Sequence, residues 1–194
     1  MDWAFTLNQI LYWLALSTWF GGVLFIAIAA PIVFRTVRES NPVLPTVLSV
    51  NLEGQHGTLL AGSIVGNLLR VLSRVELTCA GALVIAVVVQ WLMIDRRGAD
   101  VIQPILRSAL LVAAIAIVVY DWRVLWPRVW QYRQEYIENA DNPDVANPAK
   151  DQFDRYHQDS VRLLSIRLAI LLAMILFSAN IRPTSAITLT MPGT

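Results

Sequence analysis

Long apolar runs separated by short polar segments dominate the chain. Residues 3–34 contain no charged side chain, and residues 77–94 form a second uncharged run. A run of about 18 or more apolar residues is long enough to cross a bilayer as a helix. The pattern therefore predicts an all-α integral membrane protein built as a four-helix bundle. The predicted spans cover about residues 8–34, 75–94, 104–126 and 160–181.

The segments between the spans predict further elements. Residues 58–69 are apolar but too short to span, which predicts an extra amphipathic or interfacial helix before the second span. Residues 139–150 contain two Asn-Pro pairs and predict a loop, so that the fourth helix starts near Asp151. Residues 1–182 then form a single transmembrane domain, followed by a polar tail at 183–194 that could dock on a partner.

Composition narrows the class further. The chain is 56% hydrophobic and 15% charged, which is more apolar than a soluble domain needs. A net charge of +1 gives no electrostatic case for binding nucleic acid. Cys79 is the only cysteine, which excludes an internal disulfide and a CxxC motif. The first apolar run is predicted to be retained, because Asp2 precedes it and it is too long for a signal peptide.

The distribution of basic residues predicts an orientation. Residues 35–74 and 121–162 carry ten arginines and lysines, whereas the opposite side of the predicted spans carries four. Basic residues concentrate on the cytoplasmic side of membrane proteins. We therefore expect both long loops in the cytoplasm and both termini outside.

Ionisable residues within spans are costly and attract a functional interpretation. Glu76 and Arg167 both lie just inside a span at its cytoplasmic end, so an ion pair that ties two helices is the favoured interpretation. A proton or substrate relay is the alternative. Asp95 and Arg107 could form a similar tie at the other end. No charged residue falls near the midplane, which argues against a dedicated ion pump.

The chain has two histidines, His56 and His157, both on the predicted cytoplasmic side. They could ligate a haem, or a metal together with Asp154 or Asp159. The favoured interpretation is that His157 caps the mouth of the bundle by hydrogen bonding to the helix around residues 126–133. No nucleophile, metalloprotease or nucleotide-binding motif is present, so we predict no catalytic residues, no cofactor and no metal.

Trp19 lies in the middle of the first span, beside Gly21 and Gly22. The glycines would let another helix approach closely, and the indole would fill the space next to them. The alternative is a groove that contacts a lipid, a pigment or a partner helix.

Three segments resemble the bacterial transmembrane protein 205-like family, a domain of unknown function. They are residues 19–34, residues 61–76, and residues 126–129 together with 153–161. The candidate residues within them are Trp19, Gly21, Gly22, Pro31, Glu76, Trp126, Pro127, His157 and Ser160. The resemblance implies a four-helix protein of the bacterial cytoplasmic membrane. Eukaryotic relatives are linked to resistance to a platinum drug, and the fold is similar to copper-resistance membrane proteins, which motivates an export hypothesis.

The sequence favours a non-catalytic accessory or structural subunit that packs in the bilayer against other membrane protein subunits. Uncharged span centres, small-residue and aromatic faces, and Arg-rich cytoplasmic segments support this hypothesis. One alternative is a small transporter or exporter of a metal complex or an apolar molecule. A second alternative is a haem-binding electron carrier.

Overall fold

A computed structural model describes residues 2–44, 52, 54–93 and 101–179. The helices are α1 (Asp2–Glu39), α2 (His56–Met93), α3 (Ile102–Tyr120), α4 (Trp126–Glu138) and α5 (Pro143–Ala179). A π-helical segment, Asp121–Leu125, joins α3 to α4, so these two run on as one long helix. The polar tail at 183–194, predicted to dock on a partner, lies outside the described residues.

The four long helices pack as a bundle, as the sequence predicts. Packing pairs α1 with α2, α2 with α3, α3 with α5, and α5 with α1, while α4 packs on α5 beyond the apolar spans. Each long helix has 36–38 residues and an apolar stretch long enough to cross a membrane. Such helices are about 55 Å long, whereas the hydrocarbon core is about 30 Å thick. The helices of this multi-pass protein therefore project well beyond the bilayer.

The core lies along the bundle axis and is almost entirely apolar. Its side chains come from α1, α2, α3 and α5 and interdigitate with little exposed surface. The largest fully buried side chains include Tyr12, Leu16, Trp19, Val23, Leu83, Val118, Leu171 and Met174. Large apolar residues on the outer faces of the helices remain exposed, which is typical of a surface that contacts lipid.

The separate interfacial helix predicted before the second span is wrong. Residues 58–69 are the first part of α2, which continues unbroken through Arg70 and Arg74 into the apolar span. Arginine is a good helix former, so a charged segment changes the helix's surroundings without ending it. Gly62 lies opposite Arg133 and Phe34, and Gly66 lies opposite Trp126, so both glycines face neighbouring helices.

The predicted start of the fourth helix near Asp151 is also wrong, because α5 begins eight residues earlier at Pro143. A proline in the first turn is compatible with a helix, since its missing N–H has no partner there in any case. Pro148 lies inside the helix on its exposed side. Ala146 and Ala149 are buried, and this packing offsets the cost of the second proline.

Helix α1 also runs past its predicted end. It continues through Pro31, which is exposed, to Glu39. Asn41 follows with a φ of 42°, a left-handed conformation that asparagine adopts more readily than most residues and that turns the chain away from the helix. The Asn-Pro segment that follows is a loop as far as it is described, as the sequence predicts.

Candidate functional site

An ion pair between α2 and α5 lies inside the bundle. Nη1 of Arg167 is 2.6 Å from both Oε1 and Oε2 of Glu76, and each side chain is only 2% exposed. This confirms the pairing predicted from the position of the two residues in their spans.

A second carboxylate completes the network. Nη2 of Arg167 donates to Oδ2 of Asp121 at 3.0 Å, and the hydroxyl of Ser160 donates to Oδ1 of Asp121 at 3.0 Å. Ser160 was a candidate from sequence, but Asp121 was not. Asp121 directly follows the uncharged run of α3. This position at the end of a predicted span is the sequence signal that could have identified it.

Trp19 is the fifth member of the network. Its Nε1–H donates to Oε1 of Glu76 at 3.1 Å, and its side chain is fully buried. The indole therefore fills the core, as predicted, and also stabilises the carboxylate. Gly22 faces Leu72 of α2, in line with the predicted close approach of a helix, whereas Gly21 is exposed on the other side of α1.

The π-helical segment places Asp121 in the network, and Pro127 lies just after it, where a proline favours a widened turn but does not require one, since Pro31 lies in the regular helix α1. A proline inside a helix cannot donate a backbone hydrogen bond, and its ring clashes with the carbonyl four residues earlier, here that of Arg123. Widening the preceding turn relieves this clash, and Trp126 N–H bonds to the carbonyl of Asp121 in the π pattern. Such segments often occur at functional sites. Trp126 and Pro127, both candidates from sequence, thus act on the backbone next to the ionic network.

The network is electrically asymmetric. It holds one guanidinium and two carboxylates, all contributed by different helical segments, and Nε of Arg167 is buried without a hydrogen-bond partner among the described residues. Breaking the Glu76–Arg167 contact would leave two opposite charges unpaired where each side chain is only 2% exposed, which is costly. The arrangement therefore holds α1, α2, α5 and the π-helical segment in a fixed relative position.

A separate set of polar contacts ties the opposite end of the bundle. Tyr12 and Ser178 share a hydrogen bond of 2.7 Å, and the side-chain amide of Asn8 donates to the carbonyl of Ala86. Arg107 donates to the carbonyl of Phe177 and lies over the ring of Tyr12. Its predicted partner, Asp95, lies outside the described residues.

The predicted cap by His157 is wrong. Its imidazole is exposed and stacks on Phe153, and it makes no hydrogen bond within the described parts of the chain. The adjacent Tyr156 makes the predicted contact with α4. Neighbouring residues lie about 100° apart around a helix, so residue 156 faces α4 whereas residue 157 does not. Tyr156 stacks on Tyr132 with a centroid distance of 5.6 Å and accepts a hydrogen bond from Arg128.

His56 has a defined structural position. Its Nδ1 accepts a hydrogen bond of 2.9 Å from the backbone N–H of Leu44, which links the start of α2 to the loop after α1. Across residues 2–44, 52, 54–93 and 101–179, no group of three or more His, Cys, Asp or Glu side chains is arranged to hold a metal ion.

Comparisons with models of protein families, with functionally characterised proteins and with solved structures found no match for this chain. The resemblance to the transmembrane protein 205-like family therefore stays a prediction.

Proposed function

We propose that this protein is a non-catalytic accessory or structural subunit that packs against a larger membrane protein complex. The observation that carries the proposal is the buried Glu76–Arg167–Asp121 network, which joins three helical segments across the bundle. A transporter that alternates between two states must rearrange its helices, and here each rearrangement would separate buried opposite charges. A rigid bundle suits a protein that presents fixed surfaces to its neighbours.

A helical layer beyond the apolar spans supplies one such surface. We call it the polar layer, formed by residues 56–74, 126–138 and 143–160. The guanidinium of Arg133 joins its parts by donating to the carbonyl of Leu59 and the hydroxyl of Ser63 at 2.8 and 2.9 Å. Tyr136 donates to the side chain of Gln55 at 2.7 Å. These contacts connect α4 to the start of α2 and make the layer a continuation of the bundle.

The outward face of the polar layer is available for a partner. Trp130 is 45% exposed, and the neighbouring Gln131 and Gln134 are also exposed. Tryptophan is enriched at protein interfaces, where it combines a large apolar area with a polar tip. The excess of basic residues at this end of the spans supports a cytoplasmic location for the layer, in the bacterial cytoplasmic membrane that the family resemblance implies.

Site-specific photo-crosslinking in native membranes tests the proposal. A photoreactive residue at Gln131 or Gln134 is expected to give one discrete protein adduct, and the same protein should co-purify in a fixed stoichiometry after mild detergent extraction. The matched control is Leu14, an exposed apolar residue of α1, where lipid adducts are expected. A lone monomer or homodimer with no discrete adduct at either position contradicts the accessory role.

A transporter or exporter of a metal complex or an apolar molecule is the second candidate, and the single observation that favours it is an ionisable side chain, Glu76, inside the bundle. Titratable side chains inside a membrane bundle commonly mark a proton or substrate path. Flux through proteoliposomes that contain the purified protein, compared with the E76Q variant, tests this candidate. The haem-carrier alternative predicts the absorption bands of a b-type haem in the same preparation.

A further inference from the structure

A cleft of about 330 Å³ opens between α2 and the segment that joins α3 to α4. Its lining residues are Arg70, Ser73, Arg74, Leu77, Trp122 and Trp126. The two arginines lie within seven residues before the uncharged run 77–94 of α2, and the two tryptophans lie within six residues after the uncharged run 108–120 of α3. Both walls of the cleft therefore lie where the apolar spans end, at the height of the lipid headgroups.

The arginines on one wall carry positive charge that no described residue neutralises. Arg70 and Arg74 are exposed and one helical turn apart, so they face the same side of α2. Neither forms an ion pair with any described residue, and no acidic side chain lines the cleft. Arg70 uses Nη1 to donate to Asn67, which leaves its other N–H groups available.

The opposite wall is aromatic. Trp126 packs towards α2, where a Cβ atom added to Gly66 would lie 3.7 Å from its ring. Trp122 is 45% exposed. Tryptophan prefers the interface between water and hydrocarbon, where its ring contacts glycerol and the first acyl carbons while its N–H meets polar groups. Leu77 lies deeper along α2, so the cleft changes from basic to apolar towards the membrane interior.

We propose that this cleft binds the headgroup phosphate of an anionic phospholipid. Arginine matches phosphate because its planar group offers paired N–H donors, and basic pockets between membrane helices bind anionic headgroups. The apolar inner end and the indole rings favour a phosphate attached to acyl chains over a free phosphate ion. The inference does not depend on the accessory role or on which side of the membrane the cleft faces.

Lipid titration followed by native mass spectrometry tests the proposal with the delipidated full chain. The probes are phosphatidylglycerol, phosphatidylcholine and inorganic phosphate. The intact protein is expected to prefer phosphatidylglycerol, and the R70Q/R74Q variant to bind it about thirtyfold more weakly. The matched control is R35Q/R38Q, which removes two charges from the same end of the bundle on α1, away from the cleft. This control is expected to bind as the intact protein does.

The remaining outcomes overturn the proposal. Equal loss in both double variants would show attraction to diffuse positive charge and not a site. Phosphatidylglycerol binding that is unchanged in R70Q/R74Q excludes the cleft, and inorganic phosphate that binds as tightly as the lipid excludes a lipid ligand. Circular dichroism checks that each variant is folded. If R70Q/R74Q does not fold, the single variant R74Q is expected to weaken phosphatidylglycerol binding about fivefold, and no weakening overturns the proposal.

Discussion

Arg167 places one nitrogen, Nη1, 2.6 Å from each carboxylate oxygen of Glu76 in the interior of the bundle. The second terminal nitrogen of the same guanidinium reaches Asp121 at 3.0 Å. Arg167 is therefore the only cation for two carboxylates within the network. This asymmetry predicts that changes to its members will have unequal effects.

Replacement of Arg167 should destabilise the protein more than replacement of Glu76. R167M leaves two carboxylates without a cation, and breaking a buried pair in this way costs about 3–5 kcal/mol. E76Q leaves Arg167 paired with Asp121 and keeps an amide near Trp19, so a cost of about 1–3 kcal/mol is expected. The free energy of unfolding in mixed detergent micelles measures both effects.

The exposed pair between Arg162 and Asp159 is the matched control on the same helix, with a contact distance of 3.1 Å. Its side chains are 71% and 52% exposed. R162A should therefore change stability by less than about 1 kcal/mol. An R167M variant as stable as R162A would contradict a structural role for the buried network.

Pro127 should influence the network through the backbone. P127A restores an N–H that can bond to the carbonyl of Arg123, which removes the need for the widened turn and allows the segment to return to a regular α-helix. Asp121 would then rotate away from Arg167. We expect D121N to cost about 1–3 kcal/mol in the natural background and much less in P127A.

A double-mutant cycle of the free energies of unfolding measures this coupling. Pro31 provides the matched control, because it lies in a regular part of α1, is exposed, and is remote from Asp121 in sequence. D121N should cost the same with and without P31A. Equal costs with and without P127A would mean that the proline does not position Asp121.

The sequence predicts the four spans because long uncharged runs have few alternatives to crossing a membrane as helices. It also predicts the Glu76–Arg167 pair, because two opposite charges near the same end of two spans need a partner. Helix ends beyond the bilayer are harder to predict. Residues 143–150 read as a loop from their Asn-Pro pair, yet packing of Ala146 and Ala149 makes them helical.

The position of Asp121 depends on a change in helical phase that periodicity does not reveal. A regular helix turns about 100° per residue, and a π-helical segment resets the faces on which the following residues lie. Pro127 is evident in the sequence, but the sequence does not show that the turn before it is π-helical. The angular position around α5 also decides which residue contacts α4. Tyr156 faces α4, whereas the next residue, His157, is exposed.

The two histidines should respond differently to substitution. H56A removes the acceptor for the Leu44 N–H, so hydrogen exchange at the Leu44 amide should accelerate. H157A removes an exposed ring and should leave the amide exchange of Leu44 and the amount of protein unchanged. Hydrogen-exchange mass spectrometry of the segment after α1 measures the first effect. Equal exchange in H56A and the unchanged protein would contradict a role for His56 in holding this loop.

H157A also distinguishes the accessory role from transport. The transport alternative places His157 at a cytoplasmic entrance, so its loss should abolish flux while the protein remains in the membrane. The accessory role predicts that H157A associates with its partner as the unchanged protein does, and that neither protein gives flux. Proteoliposome flux and detergent co-purification, compared at equal protein amounts, separate these outcomes.

Three glycines should tolerate a methyl group to different degrees. In G57A the new Cβ would lie 3.1 Å from Cα of Arg38, and because backbone cannot easily move, we expect a loss of about 1–3 kcal/mol. In G22A the new Cβ would lie 2.9 Å from Cδ1 of Leu72, a side-chain end that can rotate, so a smaller loss is expected.

Gly21 has no neighbour within 4 Å of the position that a Cβ would take, which makes G21A the matched control. G21A should be neutral or stabilise α1, since alanine is the better helix former by about 1 kcal/mol. Thermal unfolding in one detergent ranks the variants, and a G57A protein as stable as G21A would contradict close packing between α1 and the start of α2.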